Sequence, residues 1–210
     1  MFAPKTGAML KAVIETCPTM SPVDDCGIAE HNGPIEGWDV SAVSYMNQLF
    51  ARMESFNADI SKWTVSSVTN MNGMFFGTTL FNADISKWDV SRVVNMNHMF
   101  DGAESFNVDI SKWNVSSVTR MDFMFDGAKS FNSDISQWDV SAVTGMKYMF
   151  NDATVFNGDI SMWNVSRVIT MQGMFYQARS FTKILCNIWA RSKANKEHMF
   201  HGSSSMICSL

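Results

Sequence analysis

The chain has 210 residues, 46% of them hydrophobic and 17% charged, which is enough apolar side chain to bury one core. A formal net charge of −4 without blocks of Lys and Arg argues against a nucleic-acid backbone or an anionic membrane surface as partner. No apolar stretch approaches the roughly 18 residues that a transmembrane helix requires, so no membrane span is expected.

The first element is a helix over residues 5–16. Leu10, Val13, Ile14 and Cys17 form its apolar stripe, and Pro18 stops it. Residues 1–35 read as an N-terminal helical cap. They contain Lys5, Lys11 and Glu15 and lack the continuous apolar core of a secretion signal, as expected of a fragment or a processed form.

From there the sequence repeats. Trp38, Trp63, Trp88, Trp113, Trp138 and Trp163 are each separated by 25 residues, as are Phe50, Phe75, Phe100, Phe125, Phe150, Phe175 and Phe200. One unit reads F-N-x-D-I-S-x-W-x-V-S-x-V-x-x-M-x-x-(M/L)-F followed by five variable positions. A unit of this length is too short for the four strands of a propeller blade, which leaves a solenoid whose coils contact only their neighbours. Within a unit, Val68, Met71, Met74 and Phe75 fall on one helical stripe behind Ser66 as N-cap, whereas residues 57–63 suit a short strand and a corner. The expected fold is an α/β repeat. It is a right-handed leucine-rich-repeat-like solenoid with one short parallel strand and one short helix per coil, spanning 36–180 in six coils about 4.8 Å apart.

Residues 181–210 read as a degenerate last coil and C-terminal cap. Thr182, Ile184 and Cys186 replace the regular Asn, Asp and Ser, while Met199 and Phe200 keep the register. All four cysteines lie in the caps. Local pairs, Cys17 with Cys26 and Cys186 with Cys208, are the simplest of three possible connectivities; they point to an oxidising compartment and compete with four free thiols.

The unit F-N-x-D-I-S-x-W-D-V-S-x-V-x-x-M-x-x-M-F, carried in full by Phe81 to Phe100 and Phe131 to Phe150, resembles the BspA-like repeats of surface proteins over about residues 36–181. The resemblance implies a leucine-rich-repeat-like solenoid at a cell surface, extracellular in location, with adhesion or recognition as its role and no enzymatic activity.

Two polar columns repeat without exception: Asp59, Asp84, Asp109, Asp134 and Asp159, and Asn57, Asn82, Asn107, Asn132 and Asn157. Either the Asp carboxylates accept backbone N–H groups at a corner and the Asn amides ladder along the stack, or both columns ligate calcium. The Trp column reads as core, with a sugar-stacking strip as the alternative. Asn114 and Asn164 open glycosylation sequons but share their position with Asp39, Asp89 and Asp139, which favours a turn. His198 and His201, near Cys186 and Cys208, are too loosely spaced to argue for zinc, and no metal, cofactor or catalytic constellation stands out.

Recognition is expected where the units differ. Lys62, Lys87 and Lys112 form a column after the strand that would meet an acidic or polyhydroxyl partner, and Phe123 with Tyr148 mark the opposite side. The functional expectation is a non-catalytic, surface-exposed structural or interaction module whose partner is another protein or a surface glycan. The alternative is a carbohydrate- or calcium-binding adhesin.

Overall fold

The computed structural model describes residues 2–15 and 33–209. The proposed Cys17–Cys26 pair, and Pro18, lie outside the described residues. Helix α1 (Gly7–Glu15) opens with Thr6, whose hydroxyl oxygen accepts the N–H of Met9 at 3.2 Å, and it buries Leu10 and Ile14. A Cβ on Gly7 would come within 1.9 Å of the Tyr45 carbonyl oxygen, so only glycine lets α1 lie this close to the first coil.

Successive units stack one period apart. Isolated parallel bridges join Tyr45, Asn70, Asn95, Arg120, Gly145, Thr170 and Asn195 in turn. Between neighbouring coils alternate N–H groups donate forward: Met71 to Asn95 at 2.9 Å, Gly73 to Asn97 at 2.8 Å, Phe75 to Met99 at 2.9 Å and Gly77 to Asp101 at 2.7 Å. The intervening N–H groups fold back within the coil, Met74 to Met71, Phe76 to Gly73 and Thr78 to Phe75.

This alternation corrects the expected helix and strand. Residues 38–180 contain no helix, and the bridge falls at Asn70, inside the segment expected to be helical, instead of in 57–63. The reason is backbone handedness. Two columns per unit hold left-handed residues: Gln48, Gly73, His98, Phe123, Tyr148, Gly173 and His198 with φ of 51–59°, and Arg52, Gly77, Gly102, Gly127, Asp152, Gln177 and Gly202 with φ of 49–81°. Each such residue breaks an α-helix, and up to Gln177 each turns its N–H toward a carbonyl of the next coil.

Inside the stack the apolar columns close on themselves. In one coil Ile110, Trp113, Val115, Val118, Met121, Met124, Phe125, Ala128 and Phe131 are all at most 4% exposed. Equivalent rings stack along the axis, Phe75 on Phe100 and Phe100 on Phe125 at 5.6 Å, and a second Phe column interleaves with them, Phe75 to Phe81 at 3.9 Å. From Trp63 onward each tryptophan also ties its coil to the segment before: the Trp113 indole N–H donates to the Ile85 carbonyl at 3.2 Å and that of Trp138 to Ile110 at 3.1 Å. The Trp column is therefore core and offers no exposed face for a sugar.

The last coil is irregular. Strand β1 (Ile184–Leu185) pairs in parallel with β2 (Met206–Ile207), and Cys186 is bridged to Cys208. A short helix, α2 (Ile188–Arg191), carries Trp189, which is fully buried and donates to the Ile160 carbonyl at 3.3 Å. Trp189 thus fills the tryptophan slot of the seventh coil although it stands 26 residues after Trp163.

Candidate functional site

The polar columns serve the backbone. Asp59, Asp84, Asp109, Asp134 and Asp159 each accept the N–H of the serine two residues on, at 2.9–3.0 Å, and the hydroxyl and N–H of Ser61, Ser86, Ser111, Ser136 and Ser161 together hold the carboxyls below the usual range. Asn114 and Asn164 make the same turn with Ser116 and Ser166. The Asn column forms a ladder: the side-chain carbonyl of Asn57 accepts the N–H of Asn82, Asn82 that of Asn107, Asn107 that of Asn132 and Asn132 that of Asn157, at 2.8–2.9 Å. No group of three His, Cys, Asp or Glu among the described residues is placed to hold a metal.

Lys62, Lys87 and Lys112 are exposed. Their row is not a bare positive strip, because Lys62 reaches Glu36 at 4.0 Å and the three lysines help to lower Asp59, Asp84 and Asp109 in their own coils. Further along this face a cleft of about 430 Å³ is lined by Asn132, Asp134, Ser136, Gln137, Asn157, Asp159 and Met162.

A second surface is built from the variable columns at the left-handed positions. His98, Phe123 and Tyr148 share one column, and their rings stack, His98 on Phe123 at 4.6 Å and Phe123 on Tyr148 at 5.4 Å. Lys147 lies over both Phe123 and Tyr148 at 5.9 and 5.7 Å from the ring centres, and the Arg52 guanidinium lies 5.8 Å from the centre of Phe76. Three residues further along each unit a parallel column carries Phe76, Asp101, Asp126, Asn151 and Tyr176. Two stacked columns three residues apart thus set rings beside carboxylates. Asp101 pairs with His98 Nδ1 at 2.8 Å, and Asp126 accepts from the Asn151 amide at 2.7 Å.

Where the ring column reaches Gly73 a rung is missing, and a notch of about 390 Å³ runs from there along the stack, bounded by Gln48, Asn72, Gly73, Phe76, His98, Asp101, Phe123 and Asp126. The other glycine of the column leaves no such gap, since a Cβ on Gly173 would fall 2.2 Å from Tyr148 Cε1. The Tyr148 ring leans into that space. Neither a hydroxyl nor a thiol lines the Gly73 notch, so the His98–Asp101 pair has no nucleophile beside it there.

A family model described as "Mycoplasma protein of unknown function, DUF285" matches residues 21–129 and again 107–209. The chain belongs to this family. The two DUF285 matches overlap and together take in every regular coil and the disulfide-bridged end. No curated protein matches the chain significantly.

The sequence singles out Phe123 and Tyr148 as variable positions but gives no such signal for Phe76, Asp101 and Asp126, which the structure sets beside them. Asp126 is the most perturbed acid: burial, then the neighbouring Asp101 charge, pushes its carboxyl up to about 6, against the pull of Asn151 and His98. The folded state therefore binds this proton more tightly than the unfolded chain, and stability falls as pH rises from 3.8 through about 6. Asp126→Asn keeps an acceptor for Asn151 and removes the buried charge. It is expected to raise unfolding stability by about 1 kcal/mol at neutral pH, after allowance for partial exposure, with the gain gone near pH 4. Denaturant titrations at the two pH values check it; a gain of equal size at both would mean that charge is not the cause.

Proposed function

We propose that this DUF285 chain is a non-catalytic protein-interaction module, displayed extracellularly at a cell surface, built as a right-handed leucine-rich-repeat-like solenoid of the BspA-like kind. The reading is supported by the division of labour between columns. Invariant positions are consumed by stacking, and the variable ones collect on a strip where rings, carboxylates and cations lie side by side. The single observation that carries it is the half-buried ladder His98, Phe123 and Tyr148 flanked by Lys147, Asp101 and Asp126. Such a strip mixes apolar contact with fixed charge of both signs, as protein-binding surfaces do. The double variant Phe123→Ala/Tyr148→Ala is expected to keep its melting temperature and lose binding to immobilised extracellular-matrix and membrane proteins. Loss instead on reversing Lys62, Lys87 and Lys112 to Glu would move the surface to the lysine row.

The cleft between Asp134 and Asp159 supports a second reading as a carbohydrate-binding adhesin, since Asn, Gln and Ser amides and hydroxyls beside carboxylates suit a polyhydroxyl ligand. Glycan-array binding that Asn132→Ala and Gln137→Ala remove, with the ring strip intact, would decide for it.

A further inference from the structure

The notch at Gly73 has a definite shape. Along the column the side chains of Gln48 and His98 flank it, two coils apart, a separation of about 10 Å at the usual strand spacing. One planar group fits between them in face contact with the ring. Phe123 covers one face of His98 at 4.6 Å with the planes 6° apart, and among the described residues no ring stacks on the opposite face, which lies on the Gly73 side. Phe76 stands at 88° to His98 and forms a side wall. Asp101 and Asp126 contribute carboxylate to the same notch, and neither makes an ion pair with Lys or Arg among the described residues.

Resting on the interaction-module reading, we infer that the Gly73 notch is a receptor for the guanidinium of an arginine side chain presented by a protein partner, stacked on His98 and held by the Asp101 and Asp126 carboxylates. A guanidinium is flat, weakly hydrated on its faces and rich in N–H donors along its edge, which matches a slot with an aromatic wall and carboxylates at its rim. A lysine ammonium is compact and strongly hydrated, and cannot stack. The strip already holds cations against rings at Phe76, Phe123 and Tyr148, all supplied by the chain itself. Asp126 gains from an external cation, because its burial and the Asp101 charge are opposed only by the Asn151 amide and the His98 ring.

The column itself supplies the blocking variant. His98, Phe123 and Tyr148 occupy the same left-handed position with φ of 51–58°, so Gly73→Phe restores the missing rung in a conformation that this column already tolerates. A Cβ at residue 73 would meet only the flexible Gln48 Cγ at 3.2 Å and the Phe76 Cβ at 3.7 Å.

The test is titration of the full chain with N-acetyl-arginine methylamide, its citrulline counterpart and its lysine counterpart, followed through the His98 ring resonances by NMR. The arginine compound is expected to shift His98 saturably, with citrulline and lysine at least about tenfold weaker, the worth of one charge-assisted pair. Asp126→Asn is expected to weaken arginine about tenfold, and Gly73→Phe to abolish the response with the melting temperature preserved. If Gly73→Phe does not fold, Gly73→His serves, since His98 and His198 hold that position with φ of 55°. Equal binding of citrulline and arginine, or an arginine response that survives filling of the notch, overturns the inference. So does silence of His98 in a chain whose protein binding is lost with Phe123→Ala/Tyr148→Ala, a result that leaves the interaction reading standing.

Discussion

Trp113→Ala is expected to cost about 3 to 5 kcal/mol, the range for removing a large buried aromatic. Trp113 is 4% exposed, lies 6.3 Å from the Phe100 ring and gives its indole N–H to Ile85 in the coil before. Truncation empties that volume and leaves the Ile85 carbonyl without its partner in a dry place. Because each coil touches only its neighbours, the damage sits at one interface of a nearly one-dimensional stack, and cooperativity across that interface should weaken. Calorimetry should show a lowered and broadened transition, and hydrogen exchange should show earlier opening on both sides of residue 113. Trp113→Phe keeps a ring in place and loses the N–H bond with part of the volume, so it should cost clearly less. A Trp113→Ala protein that melted like the parent would mean that the indole does not fasten the coils.

Much of the stack was legible because it is written in identities. The 25-residue spacing of Trp and Phe fixes which residues superpose, and the alternation of apolar and polar columns fixes which face inward. What the residues do locally was less legible. Val68, Met71, Met74 and Phe75 repeat about every three positions, a spacing that consecutive three-residue turns produce as readily as a helix does. The distinguishing signal was the glycine at 73 and 77, yet the same columns hold His98, Phe123, Tyr148 and Asp152 at positive φ, so no glycine rule applied to every unit. The notch was invisible for another reason. The 25-residue period already places 73 and 98 in one column, but the wall joins residues from several coils, and only the folded stack shows that His98 pairs with Asp101 and that Phe76 and Asp126 line the same space.

Removing residues 107–131, one full period, is expected to leave a chain that folds and unfolds in a single transition. Phe106 would be followed by Asn132, which can donate its N–H to Asn82 as Asn107 does now, and every Phe, Trp and Met column closes over the gap in register. Removing 107–130 instead leaves one residue too many. The extra residue must bulge from a coil whose alternate N–H groups are committed to the next coil, or it shifts Asn132, Trp138 and Phe150 out of their columns. The described fold contains one displacement of this size, a Trp189 that comes one position late in its coil before Phe200 regains the register, and the surroundings explain why it is tolerated there. That coil is remade with α2, β1 and a disulfide, and its forward-pointing N–H groups at His198, Phe200 and Gly202 have no further described coil to match. In the middle of the stack both neighbours constrain the coil. The out-of-phase deletion should therefore lose about 3 to 5 kcal/mol more than the in-phase one, as expected when a buried ring is displaced and a row of backbone groups is left unpaired. Tryptophan emission and denaturant midpoints of the two variants measure the difference. Similar midpoints would show that coils slip past one another by a residue at little cost, and that the 25-residue register is not what holds the stack together.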